Sequence, residues 1–152
     1  MKRREALKTG GSLALIAAAI SAGVLPQAAF ASWNKNAFDA KSVNDVVKAM
    51  GGSAVEKSGD ITITAPDIAE NGAVVPVAVS SKLANVESIS ILVEKNPNAL
   101  AAQFDIPAGT EANVGTRVKM GQSSNVHAVV KAGGKYYVAT KEVKVTLGGC
   151  GG

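Results

Sequence analysis

One cysteine occurs among 152 residues. No disulfide can form within the chain, so the fold must hold by packing alone. Aromatic residues are also scarce, with one Trp, two Tyr and three Phe. Val, Ile, Leu and Ala must therefore fill the core. The single histidine, His127, limits the chemistry further. A hydrolytic triad built on it needs a nucleophile and an orienting acid, and the sequence singles out neither. His127 alternates with Val126 and Ala128 and is expected to face solvent from a strand. A blue-copper site needs two histidines and a rigidly held cysteine, which excludes that reading. The carboxylates are scattered one or two per loop, and no glycine-rich phosphate loop follows a strand and opens a helix. No residue is assigned a catalytic or metal-binding role, and no cofactor is expected.

Long apolar runs are missing as well. The longest uninterrupted one, which contains Leu13 to Ala19 and ends at Ile20, lies near the start. It is short of the roughly 20 residues that span a bilayer, and Gly23 and Pro26 interrupt the residues after it. Around it stand a basic start (Lys2, Arg3, Arg4, Lys8) and small residues ending Ala29-Phe30-Ala31. That is the layout of an export signal with an A-x-A cleavage site. Arg3 and Arg4, followed by Leu7 and Lys8, resemble the bacterial twin-arginine signal, with Ala6 where that motif often has Phe. Residues 1–31 are thus expected to be removed, and a periplasmic location is expected with them. The formal charge of +4 is mostly a property of this segment. The remainder, near neutral, gives no reason to expect nucleic acid or a membrane surface as partner.

The rest of the chain is long enough for one domain with a real core. "SVNDVVKAM" (42–50) places Val43, Val46, Val47 and Met50 on one helical face, with Phe38 expected beside them. Ser42 is its expected N-cap, Asp45 supports the first turn, and Gly51-Gly52 stops the helix. From Asp60 onward the period becomes two. Alternation marks Ile61 and Ile63; Val75, Val77 and Val79; and Ile89, Ile91 and Val93. It continues through Phe104 and Ile106; Val114, Thr116, Val118 and Met120; and Val126, Ala128 and Val130. Pro76 cannot donate to a sheet ladder, so its strand is expected at an edge or to begin near it. Gly133-Gly134 between two alternating runs predicts a tight hairpin. About seven short strands with almost no helix predict a mainly β protein, an immunoglobulin-like antiparallel β-sandwich with a short N-terminal helix. The expected domains are residues 1–31 as signal, 32–147 as sandwich and 148–152 as a flexible tail.

The cysteine, Cys150, stands in that tail between Gly148-Gly149 and Gly151-Gly152. The glycines remove every neighbouring side chain, so the thiol sits on a thin, conformationally free arm. No cation flanks Cys150 to favour the thiolate. It is poorly equipped as a catalyst and well equipped as a handle whose chemistry comes from the sites it visits. Two other readings stay open on the residues alone. The chain can be a structural or adhesive module with an incidental or intermolecularly paired cysteine, or a thiol donor acting by itself.

The twin-arginine-like start, "AFDAKSVNDVVKAMGG", "APDIAENGAVVPVAVS" and the final "GGCGG" together resemble the SoxY family, sulfur-carrier subunits of the periplasmic thiosulfate-oxidising Sox system. The resemblance implies a covalent substrate carrier rather than an enzyme, with sulfur intermediates attached at Cys150. It also implies a heterodimer with a SoxZ-like sandwich subunit that has no export signal of its own. Transient partners are implied in the same way. They are a cytochrome c-type enzyme that attaches thiosulfate, a hydrolase that releases sulfate, and a molybdenum–haem sulfane dehydrogenase.

Overall fold

The computed structural model describes residues 33–148. The expected export segment with Arg3 and Arg4 lies outside these residues, as do Gly149, Cys150, Gly151 and Gly152. Two short helices come first, α1 (Lys35–Asp39) and α2 (Val43–Ala49). Nine strands come after them: β1 (Val55–Lys57), β2 (Ile61–Thr64), β3 (Ile68–Ala69), β4 (Val75–Ser81), β5 (Val86–Val93), β6 (Leu100–Asp105), β7 (Asn113–Val118), β8 (Ser124–Ala132) and β9 (Lys135–Val145).

The larger sheet runs in the order β1-β9-β8-β5-β6, and the smaller in the order β2-β4-β7. Their facing sides share one apolar core. Val75, Val77 and Val79 of β4 join Ile89, Ile91 and Val93 of β5 and Val126, Ala128 and Val130 of β8. These are the period-two sets read from the sequence, and each fully buried aliphatic side chain contributes about 1.5–3 kcal/mol. Pairing is antiparallel except at two short strands. β1 and β3 both run parallel to β9, with Val55 opposite Tyr136 and Ile68 opposite Lys144. The mainly β sandwich expected from the sequence is therefore present, with a parallel strand added at each end of β9.

The β8–β9 hairpin turns on Gly133 and Gly134, with φ of 55° and 78°. Both values lie in the left-handed region that a two-residue primed turn requires, and only glycine adopts it freely. α2 also obeys its sequence signals. The Ser42 side chain accepts from the Asp45 N–H, and Met50 is the C-cap.

The helices pack on a face of the larger sheet, where Ala37, Val46 and Val47 cover Leu92, Leu100, Val129 and Tyr136. β5 is consequently buried on both faces through its last six residues. The Tyr136 hydroxyl donates to the Met50 carbonyl at 2.8 Å, and the Asn34 side chain donates to the Ala49 carbonyl at 2.8 Å. These two bonds satisfy carbonyls at the end of α2.

Of the two placements expected for Pro76, the second holds: β4 begins one residue before it, at Val75. The strand is the central one of the smaller sheet, not an edge, and Pro76 is tolerated there because the ladder with β2 starts only at Ala78. One expectation needs correction. His127 does not face solvent, since its side chain is only 13% exposed. It stands opposite Leu92 and Thr140 in the sheet, and its Nδ1 lies 2.9 Å from the Thr140 hydroxyl.

Candidate functional site

The residues leading to Cys150 leave the sandwich from the end of β9. The sequence alone suggests that this strand passes straight into Gly148. Instead, β9 ends at Val145, and Thr146 and Leu147 are held by the segment between β2 and β4. Lys144 N–H donates to the Asp67 carbonyl at 2.9 Å, and Thr146 N–H to the Ala69 carbonyl at 3.1 Å. The Thr146 hydroxyl donates to the Glu70 carbonyl at 3.3 Å. Gly72 N–H donates to the Leu147 carbonyl at 2.8 Å. The backbone is thus bonded up to Leu147, one residue before the glycine tail.

This holding segment is braced in turn. The Asn71 side chain accepts from the Ala73 N–H at 2.9 Å, a local turn that asparagine favours. The Gly72 carbonyl accepts from the Met120 N–H at 2.7 Å, tying the segment to the connection after β7. On the other side of β9, the Ser123 hydroxyl accepts from the Val145 N–H at 2.8 Å. Lys141 pairs with Asp67 at 3.0 Å. Three connections meet at this end of the sandwich, and the stretch "APDIAENGAVVPVAVS" supplies the one that grips the root of the tail.

Charge near this end is partly organised. Glu94, just after β5, accepts from the Asn125 side chain at 2.9 Å. That hydrogen bond, with a lesser contribution from the nearby His127 ring, holds its carboxyl below the ordinary glutamate range. His127 Nε2 lies 3.5 Å from Glu94, too far for a well-formed hydrogen bond, and is enclosed without a hydrogen-bond partner. The Thr140–His127–Glu94 line connects β9, β8 and the end of β5.

Two of the open clefts among the described residues lie elsewhere. One of about 510 Å³, bordered by Lys82, Asn85, Pro107 and Thr110, lies at the end of the sandwich opposite the tail. The other, about 620 Å³, is bordered by Pro66, Pro76, Ala78, Gly115 and Arg117 on the outer side of the smaller sheet. Among the described residues, no three His, Cys, Asp or Glu side chains gather as a metal-binding group, and no helix is long and apolar enough to cross a membrane.

Of the residues proposed from sequence, Gly148 is described and exposed, and the others lie outside the described part. What sequence reasoning missed is the clamp formed by Ala69, Gly72 and Ser123. Its signal was present only as the unexplained stretch beside Pro76, because backbone bonding between distant segments leaves no periodic trace.

Residues 46–150 match the family described as sulfur oxidation protein SoxY, so the match reaches Cys150. The chain belongs to the SoxY family. Among solved structures it is similar to the sulfur carrier protein SoxY from Chlorobium limicola f thiosulfatophilum. The identity is 38% and the TM-score 0.62, covering 68% of this chain and 94% of that one. A second likeness, to the superoxide reductase (neelaredoxin) from Ignicoccus hospitalis, has 21% identity and a TM-score of 0.50. It covers 56% of this chain and 79% of that one and speaks to fold alone. None of the curated proteins compared with the chain matches it.

Proposed function

We propose that this SoxY-family chain is a sulfur carrier that holds thiosulfate-derived groups covalently on Cys150 and presents them to partner enzymes. The observation that carries this reading is the family match, which runs through the sandwich and ends on the tail cysteine. The clamp at Leu147 supports it physically. A rigid root with a short glycine tail offers the thiol to another protein's site while the sandwich stays outside.

The chemistry divides between carrier and partners. The Cys150 thiol loses its proton, and its sulfur forms an S–S bond with the sulfane sulfur of thiosulfate. Two electrons leave to a cytochrome c-type enzyme. Hydrolysis then splits off sulfate and leaves a persulfide on Cys150. Where a molybdenum–haem dehydrogenase is present, it passes on the electrons from oxidising the outer sulfur, with water supplying the oxygens. A second hydrolysis releases sulfate and restores the thiol. The carrier contributes the leaving and attacking sulfur, and the enzymes contribute the acid–base and redox groups. A SoxZ-like sandwich subunit is the constant partner, and the export signal with Arg3 and Arg4 directs the pair to the periplasm.

Intact mass before and after incubation with thiosulfate and the purified attaching cytochrome tests the reading. The wild-type chain gains the mass of one thiosulfate group less a hydrogen, and reductant removes it. Cys150→Ser folds normally and gains nothing. Equal loading of the Ser variant disproves the carrier role of Cys150.

A further inference from the structure

Isolated apolar side chains on a surface are ordinary, whereas a group of them around a functional feature marks an interaction site. Four large apolar side chains are strongly exposed among the described residues: Trp33, Ile68 at 59%, Val74 at 53% and Leu147 at 65%. Three of these four stand at the root of the tail. Leu147 is its last clamped residue. Ile68 lies on β3, paired with Lys144 just before it. Val74 lies two residues beyond Gly72, whose N–H holds the Leu147 carbonyl. Nothing in the local folding requires these three to be apolar, since the backbone of each segment is held by main-chain bonds.

The covalent length of the tail makes this collar unavoidable for a partner. An extended chain advances at most about 3.3–3.6 Å per residue, so the Cα of Cys150 reaches no more than about 10 Å beyond that of Leu147. A protein that draws the Cys150 sulfur into an enclosed site must therefore bring the mouth of that site down onto the residues around the root. We propose that Ile68, Val74 and Leu147 form a docking collar for the enzymes that act on Cys150. The matching surface is an apolar rim around the entrance to each enzyme's thiol-accepting site. The collar rests on the carrier reading above but adds to it. Recognition is placed on the sandwich, so the tail itself can stay free of side chains.

Ile68→Thr, Val74→Thr and Leu147→Gln, combined, remove the apolar collar while keeping β-branched residues at Ile68 and Val74. The measurement is loading of Cys150 by the purified thiosulfate-attaching cytochrome, with alkylation of Cys150 by N-ethylmaleimide and thermal melting as controls. The collar variant is expected to show at least a tenfold rise in KM with unchanged kcat, alkylation rate and melting temperature. As a second arm, Cys150→Ser protein with its collar intact competitively inhibits loading of the wild type, and the same protein with the collar replaced does not. Unchanged loading of the collar variant, or equal inhibition by both Ser proteins, overturns the proposal. Sedimentation of the wild type as a dimer and of the collar variant as a monomer, with loading unchanged, assigns the patch to a second copy instead and also overturns it. If the wild type itself takes up no thiosulfate, the carrier reading fails first and the collar falls with it.

Discussion

Gly52 stands just after α2, and its backbone N–H donates to the Val47 carbonyl at 2.9 Å. A Cβ at this position would stand 2.6 Å from Tyr136 Cδ2 and 2.6 Å from Val47 Cγ1. Both neighbours are fixed, because Val47 is buried and Tyr136 is bonded to Met50. The requirement for glycine is therefore close packing, not a special backbone angle. Gly52→Ala should destabilise the domain by about 1–3 kcal/mol, the usual cost of overpacking. Urea unfolding measures this, and an unchanged midpoint removes the argument. From the sequence, Gly51-Gly52 reads only as a helix stop, and the reason for its second glycine lies 84 positions away at Tyr136. Ser42 shows the opposite case, since the cap and the residue it bonds are three apart and legible in order. His127 shows where alternation misleads. Period two tells which side of a strand a residue takes, but not whether that side meets water.

At the scale of elements, the long alternating strands and α2 could be read because each carries several turns of its own period. β1 and β3 could not be read, with three and two residues and partners on β9 far along the chain. α1 is five residues long, too short to show a helical repeat. The β5–β8–β9 layer offers a test of its own. Glu87 on β5 accepts from Lys131 Nζ at 2.7 Å and from the Gly134 N–H at 3.0 Å, so one carboxylate joins the strand to β8 and to the hairpin turn. The Lys131 bond first, and the Gly134 bond second, hold the Glu87 carboxyl below its ordinary value of 4.5. Lys131 is raised above 10.5 by the same partner. A lowered carboxyl adds stability that is present above the unfolded value and is lost as pH falls through the folded one. A raised lysine adds stability that is present below its unfolded value and is lost as pH rises through the folded one. Both contributions are intact at neutral pH. Glu87→Gln should therefore flatten the acid side of the stability profile below about pH 4.5, with only a small change near neutrality because the pair is exposed. Urea midpoints across the acid range check this, and parallel profiles for the two proteins contradict it.

At the scale of the whole molecule, the sandwich is closed on some sides and open on others. Helices cover part of one face, and β1 and β3 shield two stretches of β9. Within their sheets β2, β6 and β7 remain end strands. Open strand edges favour unwanted pairing, and a constant partner subunit that covers one of them would relieve that liability. Pro76 itself marks no edge, yet edges exist on the strands beside it. On the reading proposed above, a SoxZ-like partner without a signal of its own would reach the periplasm by crossing with this chain. The twin-arginine route carries folded proteins, which permits such joint passage. Replacing both Arg3 and Arg4 by Lys should therefore hold both proteins in the cytoplasm while leaving their binding to each other unchanged. Fractionation of cells expressing the pair, with co-purification from each fraction, measures both parts. If this chain is retained while the partner still arrives in the periplasm, the two travel separately and meet only after export. If this chain arrives as well, Arg3 and Arg4 are not its export determinant.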